Sequence, residues 1–340
     1  MARRPTMRSV AARARVSQRT VSNVINDYPH VAPATRQRVL DAIDELGFRP
    51  NVAAQSLRAG RTNIIALVVP KLSWPYFGEI AHRIQVEAGP YGYTVVDAET
   101  QGLISEELEA LEHFGSHLVD GVIFSPIEMQ SKDIEALNLR VPVVLVGESI
   151  RGSRFPHFEI DSLSAGTQIG AHLCEAGART FMVVGSTTTA MTSGPGPLRM
   201  EGFLHGLEQC GVRPAEVETL GAPWTYKGAY EALTKYLQGG SVPDAIIAMN
   251  DIMAVGVIRA LADVGLKVPD DVLVTGWDNT PESRYVVPSL TTISPDKKAI
   301  ARNAVQALDH LIQGHDDPPT PEVISHRLIV RDSTGLAAAQ

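Results

Sequence analysis

Two cysteines in 340 residues, Cys174 and Cys210, are too few for a disulfide scaffold or a cysteine-rich metal site. They read as two inert thiols of a protein kept in a reducing compartment, the cytoplasm. No apolar run approaches the ~20 residues that span a bilayer, which excludes a membrane helix. The basic start, Met1-Ala2-Arg3-Arg4-Pro5-Thr6, leads into no apolar stretch of a signal peptide. Catalytic signatures are missing as well. There is no Gly-x-Ser-x-Gly, no His-Glu-x-x-His and no Cys/His cluster. The glycine-bearing stretches Gly185-Ser186-Thr187-Thr188-Thr189 and Gly194-Pro195-Gly196-Pro197 lack the Gly-Lys-Ser/Thr of a phosphate loop and read as cleft loops. The chain is therefore read as a non-enzyme without metal or cofactor. Aromatic residues make up only 6%, so any cluster of them stands out. What remains is ordinary for a globular protein: 44% hydrophobic, 20% charged, mean hydropathy +0.00.

Lysine is absent before Lys71, and the charge is unevenly spread. Residues 1–60 hold ten arginines and four acids, a net +6, which leaves −14 of the total −8 on the other 280 residues. A basic head on an acidic body focuses attraction for DNA on one end, and the overall pI of 5.7 conceals it.

The head contains three helical patterns. Val10, Ala11 and Ala14 in a helix over 8–14 face Val21, Val24 and Ile25 in a helix over 18–25, with Ser17 as N-cap of the second. A third helix runs from Pro33 to Leu46, with Val39, Leu40, Ile43 and Leu46 at helical spacing and Gly47 as its stop. The first pair has the form of a helix-turn-helix whose second helix enters a DNA major groove. Pro50 to Arg61 then offers about eight residues of modest helix former between a proline and a glycine. A helix that short is unstable alone in water, so it orders only against a partner segment and DNA, as a switchable linker.

From Thr62 the pattern becomes strands alternating with helices. Apolar runs recur at 64–70, 93–97, 122–125, 143–146, 181–185, 245–249 and 272–276, with helical stretches between most of them. This predicts an α/β core of two doubly wound lobes with parallel sheets behind a small all-α head, with a break near Asp161 and ligands at the carboxyl ends of strands. The loop Ser73-Trp74-Pro75-Tyr76-Phe77 follows the first strand and offers three aromatic faces, suited to sugars or flat rings, or else to a hydrophobic plug between lobes.

These residues together resemble the lactose-repressor (LacI/GalR) family of transcription regulators. The matching signatures are Val16-Ser17-x-x-Thr20-Val21-Ser22, Pro50-Asn51, Leu57-Arg58-Ala59-Gly60-Arg61-Thr62, Asp120-Gly121-Val122-Ile123, Asn250-Asp251, Gly276-Trp277-Asp278-Asn279 and Leu290-Thr291-Thr292-Ile293. The resemblance covers essentially the whole chain. It implies a head over 1–50, a hinge helix over 51–61 and a core over 62–340 like periplasmic binding proteins of type I. Lobe 1 would span about 62–161 with a late return segment of about 293–322, and lobe 2 about 162–290 with the C-terminal end. It also implies a homodimeric repressor on a pseudo-palindromic operator, controlled by a small effector in the cleft between lobes. A solute-binding protein of the transport type shares the core fold but is opposed by the basic head.

In the head, Gln18 and Arg19 open the recognition helix, where Gln can bond adenine and Arg guanine. Asn23 follows a turn later, where many relatives carry Arg. Ser17, Thr20, Ser22, Asn26 and Thr35 are short polar groups suited to phosphate contacts, which set register, and Arg8 is placed on DNA. Arg15 stands where relatives often have a turn glycine; either the turn differs or Arg15 accepts a left-handed backbone and meets a phosphate. In the hinge, Asn51 and Ala54 are placed on DNA, and Leu57 matches a residue that wedges into the central minor-groove step. In the core the resemblance puts Trp74, Tyr76, Phe77, Ile80, Ser125, Arg199, Trp224, Asn250 and Asp278 at the effector. One lobe-crossing acid of relatives falls near Gly147-Glu148. A sugar is the favoured effector and a purine the second choice.

Overall fold

The computed structural model describes residues 5–49, 61–115, 119–150, 152–186, 194–315 and 323–335. Asn51, Ala54 and Leu57 lie outside them. The chain divides into two compact units, residues 1–62 and 63–340.

In the first unit, α1 spans Met7–Ala14, α2 Gln18–Ile25 and α3 Pro33–Leu46. Each boundary has a local cause. Thr6 and Ser9 form a capping box at the start of α1, and Ser17 Oγ accepts from Thr20 N (3.1 Å) to cap α2. Pro33 supplies the first residue of α3, and Gly47, at φ 59°, ends it in the left-handed conformation. Val10, Ala11, Ala14, Val21, Val24, Val39, Ala42 and Phe48 form the small core. Leu40 is turned to solvent at 41% exposure; the inward stripe of α3 is Val39, Ala42, Ile43 and Leu46, so the expectation fails at Leu40 alone, whose place Ala42 takes.

The second unit holds two six-stranded sheets among the described residues. The first contains β1 (Ile64–Val69), β2 (Thr94–Glu99), β3 (Gly121–Phe124), β4 (Val143–Val146), β5 (His157–Ile160) and β11 (Val323–Ile324), ordered β11-β5-β4-β3-β1-β2 and parallel throughout. The second contains β6 (Phe181–Val184), β7 (Val217–Leu220), β8 (Ala245–Ala248), β9 (Leu273–Trp277), β10 (Thr291–Pro295) and β12 (His326–Ile329). Its order is β12-β10-β9-β8-β6-β7, parallel except for the β10–β12 pair. Strands β1, β3, β4, β6 and β8 are almost wholly buried, as strands covered by helices on both faces must be.

The helices of this unit are α4 (Pro75–Ala88), α5 (Ile104–Phe114), α6 (Ser131–Glu135), α7 (Ser162–Glu175), α8 (Gly196–Glu208), α9 (Tyr226–Leu237), α10 (Asp251–Asp263), α11 (Pro281–Tyr285) and α12 (Lys297–Ile312). The chain passes between lobes at Asp161, which caps α7 by accepting from Ser164 N (2.9 Å), at Asp296 and at Ser325. The return to the first lobe begins after Pro295, not at 293, because Thr291–Pro295 is hydrogen-bonded into the second sheet beside β9 and β12. Helix α12 then packs on α4, β3 and β4. In the second lobe α7 and α8 lie nearly backbone to backbone: a Cβ added at Gly170 would sit 2.6 Å from Phe203 O. No helix among the described residues is long and apolar enough to cross a membrane.

Candidate functional site in the interlobe cleft and the helix-turn-helix head

Both lobes turn the carboxyl ends of their parallel strands toward one cavity. From the first lobe come Trp74, Tyr76 and Phe77 after β1, Ser125 after β3, and Gly147 and Glu148 after β4. From the second come Trp224 after β7, Asn250 after β8, Trp277 and Asp278 at the end of β9, and Arg199 on α8. Eight of the nine residues expected at an effector thus share one wall. Ile80 does not. Two turns into α4 on its inward side, it is 1% exposed in the hydrophobic core.

One ion pair closes this cavity. Arg199 Nε and Nη2 donate to Glu148 Oε2 and Oε1 at 3.1 and 3.0 Å, a two-pronged pair reaching from lobe to lobe with both side chains 8% exposed. Arg199 Nη1 also donates to Met249 O (2.6 Å), and its guanidinium carbon lies 4.4 Å from the Trp277 ring centre and 5.4 Å from that of Trp224. Glu148, which the resemblance marked only as the neighbourhood of a lobe-crossing acid and not as an effector residue, is therefore central. The signal that could have found it is its place directly after a buried strand end, the topological position of Asn250 and Asp278.

The electrostatics of the wall are those of charges held out of water. Burial works against the Arg199 charge, but Glu148 and Asp278 more than offset it and raise its pKa. Burial drives Asp278 well above the usual carboxylate range despite Arg199 nearby. The Tyr76 hydroxyl is likewise pushed up by burial and by Asp278 and Glu148, so it stays a neutral donor. Trp224 Nε1 donates to Gly185 O (2.9 Å), whereas Trp277 Nε1 is buried without an acceptor among the described residues. All three tryptophans of the chain, Trp74, Trp224 and Trp277, line this one cavity.

Backbone strain sits at the same place. Asp278 and Asn279 have φ of 117° and 46°, a conformation that costs ~1–3 kcal/mol per residue and persists only where its surroundings over-determine it. They do so here. Lys297 Nζ donates to Asp278 O (2.9 Å) and Asn279 O (3.0 Å), and Arg331 Nη2 donates to Asn279 Oδ1 (2.6 Å). Asn279 N and Nδ2 donate to Thr292 Oγ1 and Ser294 Oγ. Behind the wall, Asp251 accepts from Thr280 N (2.7 Å) and Thr292 Oγ1 (2.6 Å), and its burial raises it to about 7.

The cavity measures about 70 Å³, well under the ~300 Å³ at which small-molecule pockets begin. In this closed arrangement Arg199 and Glu148 occupy the space between the lobes.

In the head, Arg8, Ser17, Gln18, Arg19 and Asn26 are exposed, and Thr20, Ser22, Asn23 and Thr35 are half-buried. Val21 and Val24 are the buried side of α2, so its other face, with Gln18, Arg19, Ser22 and Asn23, is turned outward. Arg15 is left-handed, at φ 56° and ψ 49°, and ends α1 where a glycine would meet no strain. The Ser17 and Thr20 hydroxyls are engaged with each other (2.9 Å). Arg36 locks the turn after α2 by donating to Asp27 Oδ1 (2.6 Å) and Tyr28 O (2.8 Å).

Comparison with known proteins matches two separate stretches of the chain. Residues 6–51 match the model of bacterial regulatory proteins of the lacI family, and residues 171–334 match a periplasmic binding protein-like domain. Catabolite control protein A of Priestia megaterium is 30% identical over 330 residues, covering 97% of this chain and 99% of that protein. The HTH-type transcriptional repressor PurR of Mannheimia succiniciproducens is 32% identical over 339 residues, covering 96% and 98%. Among solved structures, the lac repressor dimer bound to operator and the anti-inducer ONPF superposes with TM-score 0.86 at 26% identity, covering 98% of this chain and 99% of that one. The transcriptional regulator CelR–cellobiose complex superposes with TM-score 0.70 at 28% identity, covering 97% and 100%. With a lacI-type head, a binding-protein-like core and full-length relatives above 30% identity, the chain belongs to the LacI family of bacterial regulatory proteins.

Proposed function

We propose that this repressor is controlled by a sugar bound between its lobes, and that it acts in the bacterial cytoplasm as a homodimer on a pseudo-palindromic operator, without catalytic activity. The observation that carries the ligand class is the cavity wall: three indole faces and Tyr76 set beside Arg199, Asn250 and Asp278. Flat apolar faces with a few convergent polar groups are what a sugar ring offers its C–H face and hydroxyls to. Trp277 Nε1 and the protonated Tyr76 add donors. The solved complex of CelR with cellobiose supports the reading. The outward face of the second helix supports Gln18, Arg19 and Asn23 as base readers, with Arg8, Ser17, Thr20, Ser22, Asn26, Thr35 and Arg15 as phosphate contacts; the resemblance alone assigns Asn51 and Ala54 to DNA and Leu57 to the minor groove.

The mechanism follows from the closed cavity. A sugar enters only if the lobes part or the Arg199–Glu148 pair rearranges, and it shifts the equilibrium only by its preference for one lobe arrangement. Lobe movement in each protomer then changes the spacing of the paired hinge segments and with it operator affinity. Titration of the intrinsic tryptophan fluorescence with a panel of mono- and disaccharides and with purines tests the ligand class, because every indole borders the cavity. A saturable change with a sugar that also alters an operator band shift supports the proposal. A response to a purine and to no sugar overturns it in favour of a purine effector.

A further inference from the structure

A second pocket, of about 570 Å³, opens beside the points where the chain passes between lobes. Its wall carries six cations, Arg83, Arg284, Lys297, Lys298, Arg327 and Arg331, on a unit whose charge is strongly negative overall. Among the described residues two carboxylates line the pocket, and both are engaged, while Asp251 lies behind Lys297 and Arg331. Glu79 pairs with Lys297, and Asp296 caps α12 by accepting from Ala299 N (2.9 Å). Lys297 is further committed to the carbonyls of Asp278 and Asn279, and Arg331 to Ser283, Leu290 O and Asn279.

The side chains of Arg83, Arg284, Lys298 and Arg327 have no hydrogen bond or ion pair among the described residues. Arg83 is half-buried, and its Nε is buried without an acceptor among the described residues, so this one N–H has lost water with no partner in exchange. Burial pulls Arg331 below its ordinary pKa against the opposing pull of the Asp251 carboxylate, and the charge of Arg284 adds a smaller push in the same direction as burial. Like charges gathered in a concave, partly desolvated site raise the energy of the protein unless an anion completes it. Guanidinium forks match the oxygens of a phosphate group. The volume is far larger than inorganic phosphate needs, so the anion carries an organic or second phosphate portion.

We propose that this pocket is a second effector site that binds a phosphate-bearing metabolite with at least two negative charges. Arg83 belongs to the first lobe, Arg284 and Arg331 to the second, and Lys298 and Arg327 flank the crossings at Asp296 and Ser325. A ligand held by all of them clamps the angle between the lobes from the side of the crossings, independently of the cleft. The binding claim stands on the pocket alone; its regulatory consequence rests on the repressor reading above.

The test uses the full-length protein, with pyrophosphate and inorganic phosphate titrated separately by calorimetry and thermal melting at ionic strength held constant with sodium chloride. Pyrophosphate is expected to bind saturably, one per chain, to raise the melting midpoint, and to bind more tightly than inorganic phosphate. Arg83→Gln and Arg327→Gln are each expected to weaken it about tenfold or more, the scale of one lost charge-assisted hydrogen bond. Should the partly buried Arg83 variant fold poorly, the exposed Arg327 variant carries the test. Unchanged affinity in the variants means the anion is taken up elsewhere, as on the arginine-rich head, and overturns the proposal, as does an absence of saturable binding. Equal affinity for inorganic phosphate overturns the assignment to a metabolite. A parallel operator band shift keeps the two readings apart: a protein that binds pyrophosphate but no operator refutes the repressor reading and leaves the site standing.

Discussion

Arg199 and Glu148 form a bidentate pair with both side chains 8% exposed, and it joins the two lobes across the cleft. Removing one partner of such a pair leaves a desolvated charge and costs ~3–5 kcal/mol. The two removals are not equivalent here. In Arg199→Met the carboxylates of Glu148 and Asp278 face each other with no cation between, and the stacking over Trp277 and the bond to Met249 O go as well. In Glu148→Gln the guanidinium keeps Asp278, Met249 O and both indole faces. The expected loss is therefore ~3–5 kcal/mol for Arg199→Met and roughly half that for Glu148→Gln. The double variant should fall short of the sum by ~2 kcal/mol or more, because the second change removes the charge that the first left stranded. Urea unfolding followed by tryptophan fluorescence reads this directly, since all three indoles lie at the cleft. Arg199→Met should also recover part of its loss as pH falls and the facing carboxylates take up protons. If the two single losses add within ~0.5 kcal/mol, the residues do not act as a pair and the closed cleft is held by something else.

Leu57→Ala is expected to weaken specific operator binding by about tenfold or more at fixed salt while sparing fluorescence titration of the cleft, as loss of a minor-groove wedge requires; unchanged operator affinity would remove Leu57 from that role. Gly170→Ala places a methyl group 2.6 Å from Phe203 O between α7 and α8 and should destabilise the second lobe by ~1–3 kcal/mol in denaturant titration. His172, whose Nε2 lies 2.9 Å from Thr334 Oγ1, has its pKa lowered by burial below the ordinary 6.5. Below pH 6.5 the unfolded chain then binds more protons than the folded one, so this residue's contribution is intact above 6.5 and is lost as pH falls through the window beneath it. His172→Gln should flatten that part of the stability–pH curve, and a slope identical to wild type would assign it to other groups.

Most of the fold was legible because its signals are local. Ser17, Pro33 and Gly47 mark helix ends by backbone chemistry, and the runs at 64–69, 121–124 and 245–248 are apolar throughout because both faces of their strands are covered. What escaped were edge and crossover strands. His157–Ile160 alternates buried with half-exposed residues and Val217–Leu220 is largely open, so neither shows an apolar run. Val323–Ile324 and His326–Ile329 are short and become strands only because the chain crosses between two sheets there. The same distinction applies to the site. Aromatic residues in a loop after a strand point to a cleft by themselves. Ile80 could be sorted only by knowing which side of α4 packs inward, and the pairing of Glu148 with Arg199 only by knowing which strand end faces the other lobe, both properties of the assembled sheets.

The closed arrangement is tied at two levels, and this bears on how large a ligand effect can be. On the cleft side stands the Arg199–Glu148 pair; on the side of the crossings Lys297, anchored by Glu79 of α4, grips the carbonyls of the strained Asp278–Asn279 turn. A ligand that needs the cleft open must offset the pair, and each ~1.4 kcal/mol of that penalty weakens its apparent affinity tenfold. A ligand at the basic pocket touches Lys297's surroundings without breaking the pair, so it adds to closure instead of opposing it. The two ligands are therefore expected to oppose each other, each weakening the other by the same factor, because binding linkage is reciprocal. A sugar affinity that is unaffected by saturating pyrophosphate would show that the two ties are energetically separate.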